Sequence, residues 1–197
     1  MTNSTWTCDH IKQIWKTSAE IVYPPCAVNE FLELHQASDT HLFMNREKII
    51  LSIGQFRPEK DHPLQLKAFA KFLELNPKFK AEPSYYYNRN LGDEDSLKDF
   101  DNKYPVICLL GSCRDSGDES RVKELRLLAK KLGIQGQVKF QINADFSTLK
   151  NLLSRSLIGI HTMWNEHFGI GVVEFMVSCI KYCQRLFERK KIKISYQ

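Results

Sequence analysis

Two segments of the chain combine charged side chains or glycines in a way that suits phosphate binding. In the first, Arg57 and Lys60 supply positive charge without a metal ion. In the second, which covers residues 164–174, Gly169 and Gly171 stand at the start of an apolar run. Glycines at a helix N-terminus let backbone N–H groups approach phosphate oxygens closely, and the helix dipole favours anions there. The two segments together favour a site for a nucleotide diphosphate.

The second segment also holds two carboxylates, Glu166 and Glu174. Eight positions on a helix leave an angle of about 80° after whole turns, so the two side chains need not share a face. If Glu166 precedes the helix, one carboxylate can meet a sugar while the other meets a ribose. Each feature also has an ordinary explanation: surface charges, a tight turn, a solvated helix residue, or, for His161 and His167, satisfied histidines. Only their combination on loops that meet in space favours the functional interpretation.

Four short apolar runs, rich in β-branched residues, predict buried strands. They cover residues 49–53, 106–111, 138–142 and 157–161. Amphipathic patterns between them predict helices, with Pro63 in the first turn of one, Asp118 as the cap of the next, and a last helix over 169–176. Strand and helix alternate, so the fold class is α/β: a doubly wound, Rossmann-like parallel sheet.

The topology decides where the two charged segments lie. Ligands of a doubly wound sheet bind beyond the carboxyl ends of the strands, where the strand order reverses. With the usual order 3-2-1-4, strands one and four are neighbours. The loops that follow them are the two segments described above, so we expect them to meet.

Composition excludes several classes of protein. Apolar residues make up 43% and charged residues 26%, which is typical of a globular domain, and no run suits a membrane span or a signal peptide. Residues 181–197 contain six basic side chains and one glutamate, which accounts for the whole net charge of +5. A basic terminal tail of this kind does not indicate nucleic-acid binding. The six cysteines lack zinc-ligand spacing and fit reduced thiols.

The sequence resembles the retaining glycosyltransferases with the GT-B fold. Their E-x7-E signature matches Glu166-His167-Phe168-Gly169-Ile170-Gly171-Val172-Val173-Glu174. The strings over residues 52–60, 110–114 and 161–165 also match, within a branch of the family that transfers mannose from GDP-mannose. The resemblance covers about residues 3 to 177.

The resemblance implies a role for each matching residue. Glu166 would lie beside the transferred mannose, and Glu174 would hold the ribose of GDP. Lys60 would bind the diphosphate and stabilise the leaving group, as a metal does in other transferases, so no metal and no further cofactor are expected. Many relatives carry arginine where this chain has Gln55, and Arg57 would supply that charge instead.

Three further residues of the signature belong to the same predicted site. Gly169 would offer backbone donors to the phosphates, and His167 and Phe168 would help to bind the nucleotide sugar. The reaction implied is mannosyl transfer with retention, by departure and attack on the same face of the sugar.

The partners implied by the branch are GDP-mannose and a dolichol-diphosphate-linked oligosaccharide at the cytosolic face of the endoplasmic reticulum membrane. We expect the acceptor site and the membrane anchor to lie in an absent N-terminal domain, so the chain would be inactive alone. Two alternatives remain: a GT-B transferase that uses another nucleotide sugar, and a non-catalytic truncated product.

The predicted organisation has three parts. Residues 1–47 would be the end of an N-terminal domain and a linker, residues 48–177 a partial nucleotide-sugar-binding domain, and residues 178–197 a divergent basic tail. Residues 77–105 would form a surface insertion. With four strands only, strand four would be an unpaired edge and the last helix would lack neighbours, so we expect marginal folding or aggregation.

Overall fold

The computed structural model describes residues 1–36, 46–82, 102–178, 180–185 and 192–195. The helices in chain order are α1 Thr5–Trp15, α2 Val28–Gln36, α3 His62–Leu75, α4 Ser116–Lys131, α5 Phe146–Arg155 and α6 Ile170–Val177. The strands are β1 Glu47–Ile53, β2 Val106–Gly111, β3 Val138–Ile142, β4 Ser156–His161, β5 Lys181–Arg185 and β6 Ile192–Ser195. Single turns of 3-10 helix cover Pro58–Lys60, Pro77–Phe79 and Gln135–Gln137.

The strands form one sheet in the order β3-β2-β1-β4-β5-β6. All neighbouring pairs are parallel except β5 and β6, which are antiparallel. The predicted α/β class and the neighbouring positions of strands one and four are confirmed. The order reverses between β1 and β4, so the site expected from the sequence lies at this point.

Helices cover both faces of the sheet. Successive side chains of each strand point to opposite faces, so each face buries alternate residues. On one face, α3 and α4 pack through Leu66, Phe69 and Leu125 onto Ile107 and Leu109 of β2. On the other face, α2, α5 and α6 pack onto the alternate positions of β1 and β2. The residues buried there include Phe31, Ile49, Leu51, Val106, Cys108, Leu153 and Phe175. Every residue of β2 is buried, as expected for a central strand of a parallel sheet.

Asp115, and not Asp118, caps α4. The helix begins at Ser116, and the Asp115 side chain accepts a hydrogen bond of 2.9 Å from the backbone N–H of Asp118. Asp118 is buried in the first turn, where it forms an ion pair of 2.8 Å with Arg121. The prediction was wrong by one helical turn because either aspartate precedes the apolar stripe at an acceptable distance.

The prediction that β4 is an edge strand is wrong. Ile158 pairs with Lys181 and Ile160 pairs with Cys183, so β5 covers that edge. The chain can run back along the sheet because α6 ends shortly before β5. At this helix end, the backbone N–H of Ile180 donates a hydrogen bond to the carbonyl of Phe175. Phe175 itself is fully buried, which also corrects the expectation that it lacks neighbours.

Two other segments bear on the predicted organisation. The segment expected to be a linker contains α2, which packs against α5 and α6. Most of the predicted insertion, including Tyr85 to Tyr87, lies outside the described residues. No helix in the described part of the chain is long and apolar enough to cross a membrane. The three-part organisation otherwise stays a prediction.

Candidate functional site

The candidate site is built from the loops that leave the carboxyl ends of β1 and β4. These strands are paired in parallel, with Ser52 opposite Ile160 close to both carboxyl ends. The β1 loop continues into the 3-10 turn Pro58–Lys60 and then into α3. The β4 loop runs from Thr162 to Gly169, where α6 follows. The fold therefore brings together the two segments that the sequence analysis selected.

Lys60 and Glu166 meet across the two loops. The Lys60 Nζ lies 3.2 Å from the Glu166 Oε2, and it also donates to the Met163 Sδ at 3.1 Å. The side chains are 21% and 16% exposed, so the pair is shielded but still open to a ligand. The structure therefore brings the two predicted residues into contact in one site.

Glu166 is held as an anion by its neighbours. The Nε2 of buried His161 lies 2.9 Å from the Glu166 Oε2, although the contact lacks the alignment of a hydrogen bond. The backbone N–H of His167 donates to the other carboxylate oxygen at 3.1 Å. Burial alone would raise the pKa of Glu166, but the contacts with His161 and Lys60 outweigh it and lower the pKa to about 2.

Glu174 has the opposite electrostatic environment. It lies in α6, is 9% exposed, and its carboxyl group has no hydrogen-bond partner among the residues that the structure describes. Burial raises its pKa to about 7, well above the ordinary value of 4.5. The two glutamates of the signature are thus distinct: one is charged and paired, and the other is buried with free hydrogen-bonding capacity.

Gly169 sets the start of α6 and the position of Glu166. Its φ of 77° lies in the left-handed region, which glycine adopts without a steric penalty. A Cβ at this position would lie 3.0 Å from the Cγ of Glu166. Replacement by any other residue would therefore strain the backbone and press on the Glu166 side chain.

The aromatic rings of two predicted binding residues contact the N-terminal segment. The ring of His167 stacks on Trp6, with centroids 4.4 Å apart, and Phe168 lies against Tyr23 at 5.7 Å. The N-terminal segment therefore covers the outer side of the β4 loop. The roles of His167 and Phe168 toward a nucleotide sugar stay predictions.

Arg57 does not join the pair in this structure. Its guanidinium lies 3.7 Å from Glu59, and it lines a cleft of about 450 Å³ together with Phe56, His62 and Arg121. His62 is buried against Phe56, and burial together with the charge of Lys60 lowers its pKa to about 4. The role of Arg57 as a second phosphate-binding cation stays a prediction.

The side chains that contact or hold the Lys60–Glu166 pair were not predicted from the sequence. His161 was treated as an ordinary histidine, and Met163 and Thr162 were assigned no role. All three follow from position: His161 is the last residue of β4, and the other two come directly after it. The carboxyl end of a strand beside the topological switch point is the signal that could have identified them.

No group of three or more His, Cys, Asp or Glu side chains within the described ranges is arranged to hold a metal ion. The positive charge at the centre of the candidate site comes from Lys60.

Comparison with known proteins shows which family this chain is similar to. Residues 96–181 match the family described as Glycosyl transferases group 1. The chain is 47% identical over 182 residues to a human protein named GDP-Man:Man(3)GlcNAc(2)-PP-Dol alpha-1,2-mannosyltransferase. These matches support a group 1 glycosyltransferase domain over residues 96–181. The resemblance stated from the E-x7-E signature is thereby confirmed.

The relatives are longer than this chain. The match to the human protein covers 90% of this chain and 32% of that protein. A relative from Dictyostelium discoideum with the same name is 42% identical over 184 residues and gives the same coverage. The chain therefore spans about a third of the length of the curated relatives it matches.

Solved structures support the fold. A glycosyltransferase from Rickettsia africae superimposes with a TM-score of 0.64 at 14% identity, over 92% of this chain and 42% of that one. The Anabaena protein Alr3699/HepE in complex with UDP and glucose gives 0.59 at 16% identity, over 93% of this chain and 43% of that one. At these identities the likeness shows the GT-B type of fold alone.

Proposed function

We propose that this chain forms the donor-binding part of an α-1,2-mannosyltransferase. The donor is GDP-mannose, and the acceptor is a dolichol-diphosphate-linked oligosaccharide at the cytosolic face of the endoplasmic reticulum membrane. The observation that carries the proposal is the contact of Lys60 with Glu166 at the switch point of the sheet. The names of relatives at 47% and 42% identity supply the sugar and the acceptor.

Lys60 acts on the diphosphate. Its ammonium group is paired with Glu166 at 3.2 Å. When the bond between the anomeric carbon and the phosphate oxygen breaks, negative charge develops on that oxygen. A fixed ammonium group in a shielded site stabilises this charge more in the transition state than in the ground state. This is the contribution that a metal ion makes in other transferases.

Glu166 acts at the transferred mannose. Its carboxylate stays ionised at neutral pH because His161 and Lys60 lower its pKa. A carboxylate beside the sugar stabilises the positive charge that develops at the anomeric carbon. The acceptor hydroxyl attacks from the face that the diphosphate leaves, its proton passes to the departing phosphate oxygen, and the configuration is retained.

Glu174 receives the ribose of GDP. Its buried carboxyl group has no hydrogen-bond partner within the described residues, so two hydroxyl groups of a ribose would satisfy it. Gly169 at the start of α6 leaves room for the phosphates to approach backbone donors. The acceptor and the membrane would be met by parts of the relatives that this chain does not match.

The test uses an exchange chimera, in which this chain replaces the matching segment of the human relative. Membranes that contain the chimera are assayed with GDP-mannose, UDP-glucose and UDP-N-acetylglucosamine on the dolichol-linked acceptor. We expect transfer from GDP-mannose only, with no loss when EDTA is added. The control is the chimera with Glu166→Gln.

Two results would contradict the proposal. A folded chimera that transfers sugar only from a UDP donor would show that the nucleotide or sugar is wrong. A folded chimera that binds GDP and transfers nothing, beside an active human protein, would favour a non-catalytic product. Complete loss of activity with EDTA would overturn the role given to Lys60 in place of a metal.

A further inference from the structure

A buried hydroxyl group joins the two loops of the candidate site behind the Lys60–Glu166 pair. Thr162, the first residue after β4, is 5% exposed. Its Oγ1 donates to the backbone carbonyl of Lys60 at 2.6 Å and lies 3.3 Å from the carbonyl of Asp61. The same oxygen accepts a hydrogen bond of 2.8 Å from the Nε2 of Gln65.

The three partners come from three different elements. Lys60 ends the 3-10 turn of the β1 loop, Gln65 lies in the first turns of α3, and Thr162 belongs to the β4 loop. Gln65 is 2% exposed, so its amide and the hydroxyl group are shielded from water. Removing the hydroxyl would leave the buried amide donor of Gln65 and the carbonyl of Lys60 without their partner, which costs more than the hydrogen bonds themselves contribute.

The geometry near Lys60 needs such support. Asp61 has a φ of 49°, which lies in the left-handed region that non-glycine residues rarely adopt. The Lys60 side chain has four rotatable bonds, so a fixed backbone at this turn limits the positions that its Nζ can adopt around Glu166. The hydrogen bond from Thr162 is made to the carbonyl of this same residue.

We propose that Thr162 and Gln65 are positioning residues, which hold the Lys60 backbone so that its ammonium group lies at the reacting diphosphate. This rests on the proposed function, because it assumes that Lys60 acts on the diphosphate. The hydrogen bond from Thr162 to the carbonyl of Lys60 joins the loop that carries Lys60 to the loop that carries Glu166. It therefore fixes the distance between the ammonium group of Lys60 and the carboxylate of Glu166.

The experiment compares two substitutions of Thr162 in the exchange chimera. Each is made in two backgrounds, one that keeps Lys60 and one that carries Lys60→Ala. Thr162→Val keeps the shape of the side chain and removes the hydroxyl, whereas Thr162→Ser keeps the hydroxyl. The measurements are kcat and KM for GDP-mannose, with the thermal unfolding temperature as a check on folding. A positioning role depends on Lys60, and a merely structural role does not.

We expect Thr162→Val to lower kcat/KM about tenfold, mainly through kcat, while Thr162→Ser stays within about twofold of the parent. In the Lys60→Ala background, Thr162→Val should cause no further loss. Gln65→Met removes the amide donor together with an amide oxygen that has no hydrogen-bond partner among the described residues, and it should show a smaller loss with the same dependence on Lys60. This variant decides the matter if Thr162→Val does not fold.

The outcomes separate this inference from the proposed function. If Lys60→Ala is impaired and Thr162→Val is not, the positioning role fails and the role of Lys60 stands. Equal losses from Thr162→Val in both backgrounds, or equal losses from the valine and serine variants, would also overturn the positioning role. If Lys60→Ala alone is without effect, the role of Lys60 at the diphosphate and the positioning role are both wrong, whereas mannosyl transfer itself still stands.

Discussion

At the scale of single residues, the site depends on two glutamates with opposite environments. Glu166 is paired with a cation and has a pKa lowered to about 2, whereas burial raises the pKa of Glu174 to about 7. Both pKa shifts follow from the positions of the residues in the fold. Glu166 faces Lys60 and His161, whereas Glu174 is a buried residue of α6. The E-x7-E spacing therefore joins two carboxyl groups in opposite environments and not one carboxylate pair.

The two glutamates should differ in their kinetic effects. In the exchange chimera, we expect Glu166→Gln to lower kcat with little change in KM, because its interaction strengthens as charge develops on the sugar. Glu174→Gln should raise KM for GDP-mannose, because a ribose contact is made equally in the ground and transition states. Steady-state kinetics of the two variants test this. The reverse assignment of effects would show that the roles are exchanged.

Glu174 should also make the free chain less stable as the pH rises. Between about pH 4.5 and 7 the unfolded chain releases a proton that the folded chain retains, so the free energy of unfolding falls across this range. A shift of this size corresponds to about 3 kcal/mol. Glu174→Gln should therefore be more stable than the parent at pH 8 by up to that amount and equal to it at pH 4.

Denaturant unfolding at the two pH values measures this difference. The control is Glu124→Gln, an exposed carboxylate on α4 whose removal should change the stability little at either pH. A difference between the Glu174 variant and the parent that is the same at pH 4 and pH 8 would contradict the buried, neutral carboxyl group.

At the scale of elements, the sequence predicted the strands β1 to β4 and their order relative to one another correctly. The apolar runs of β1 and β2 indicate strands that are covered on both faces of the sheet. Such strands belong to a doubly wound parallel sheet, and its strand order brings Lys60 to Glu166. The meeting of the two residues could thus be predicted from strand order. The contacts of His161, Met163 and Thr162 could not, because side-chain distances depend on the exact path of the loop.

Two kinds of element were missed for physical reasons. The helix α2 is nine residues long and buries Phe31, so its apolar pattern is too short to distinguish it from a linker. The strand β5 contains Lys181 and Arg185, which suggested a solvated tail. It forms because its backbone completes the hydrogen bonding of β4, and this is a tertiary effect that residue preference does not reveal.

The contact of β4 with α6 gives a prediction at this scale. A Cβ added to Gly159 would lie 2.7 Å from the ring of Phe175, which is fully buried. Gly159→Ala should therefore lower the free energy of unfolding by about 1–3 kcal/mol through overpacking. Adding Phe175→Leu should recover part of this loss, so that the double variant is more stable than the sum of the single effects. An alanine variant as stable as the parent would contradict this packing.

At the scale of the whole molecule, the chain spans about a third of the length of its relatives. The expectation of an open edge at β4 is corrected, but the N-terminal segment still exposes large apolar side chains, with Ile14 at 57% and Trp15 at 69%. We therefore still expect the isolated chain to be marginally stable, to bind GDP weakly and to transfer no mannose. Calorimetric titration with GDP and a transfer assay on the purified chain test this. Micromolar GDP affinity, or detectable transfer, would contradict it.

Replacement of Lys60 shows whether the diphosphate binds at the switch point of the sheet. The measurement is kcat/KM for mannosyl transfer from GDP-mannose by the exchange chimera, with Lys60→Ala compared with Lys67→Ala, an exposed lysine of α3. Loss of a hydrogen bond to a charged group costs about 1.5–3 kcal/mol, so we predict at least a tenfold decrease for Lys60→Ala and no change for Lys67→Ala. Equal kcat/KM values for the two variants would show that the diphosphate does not bind at Lys60.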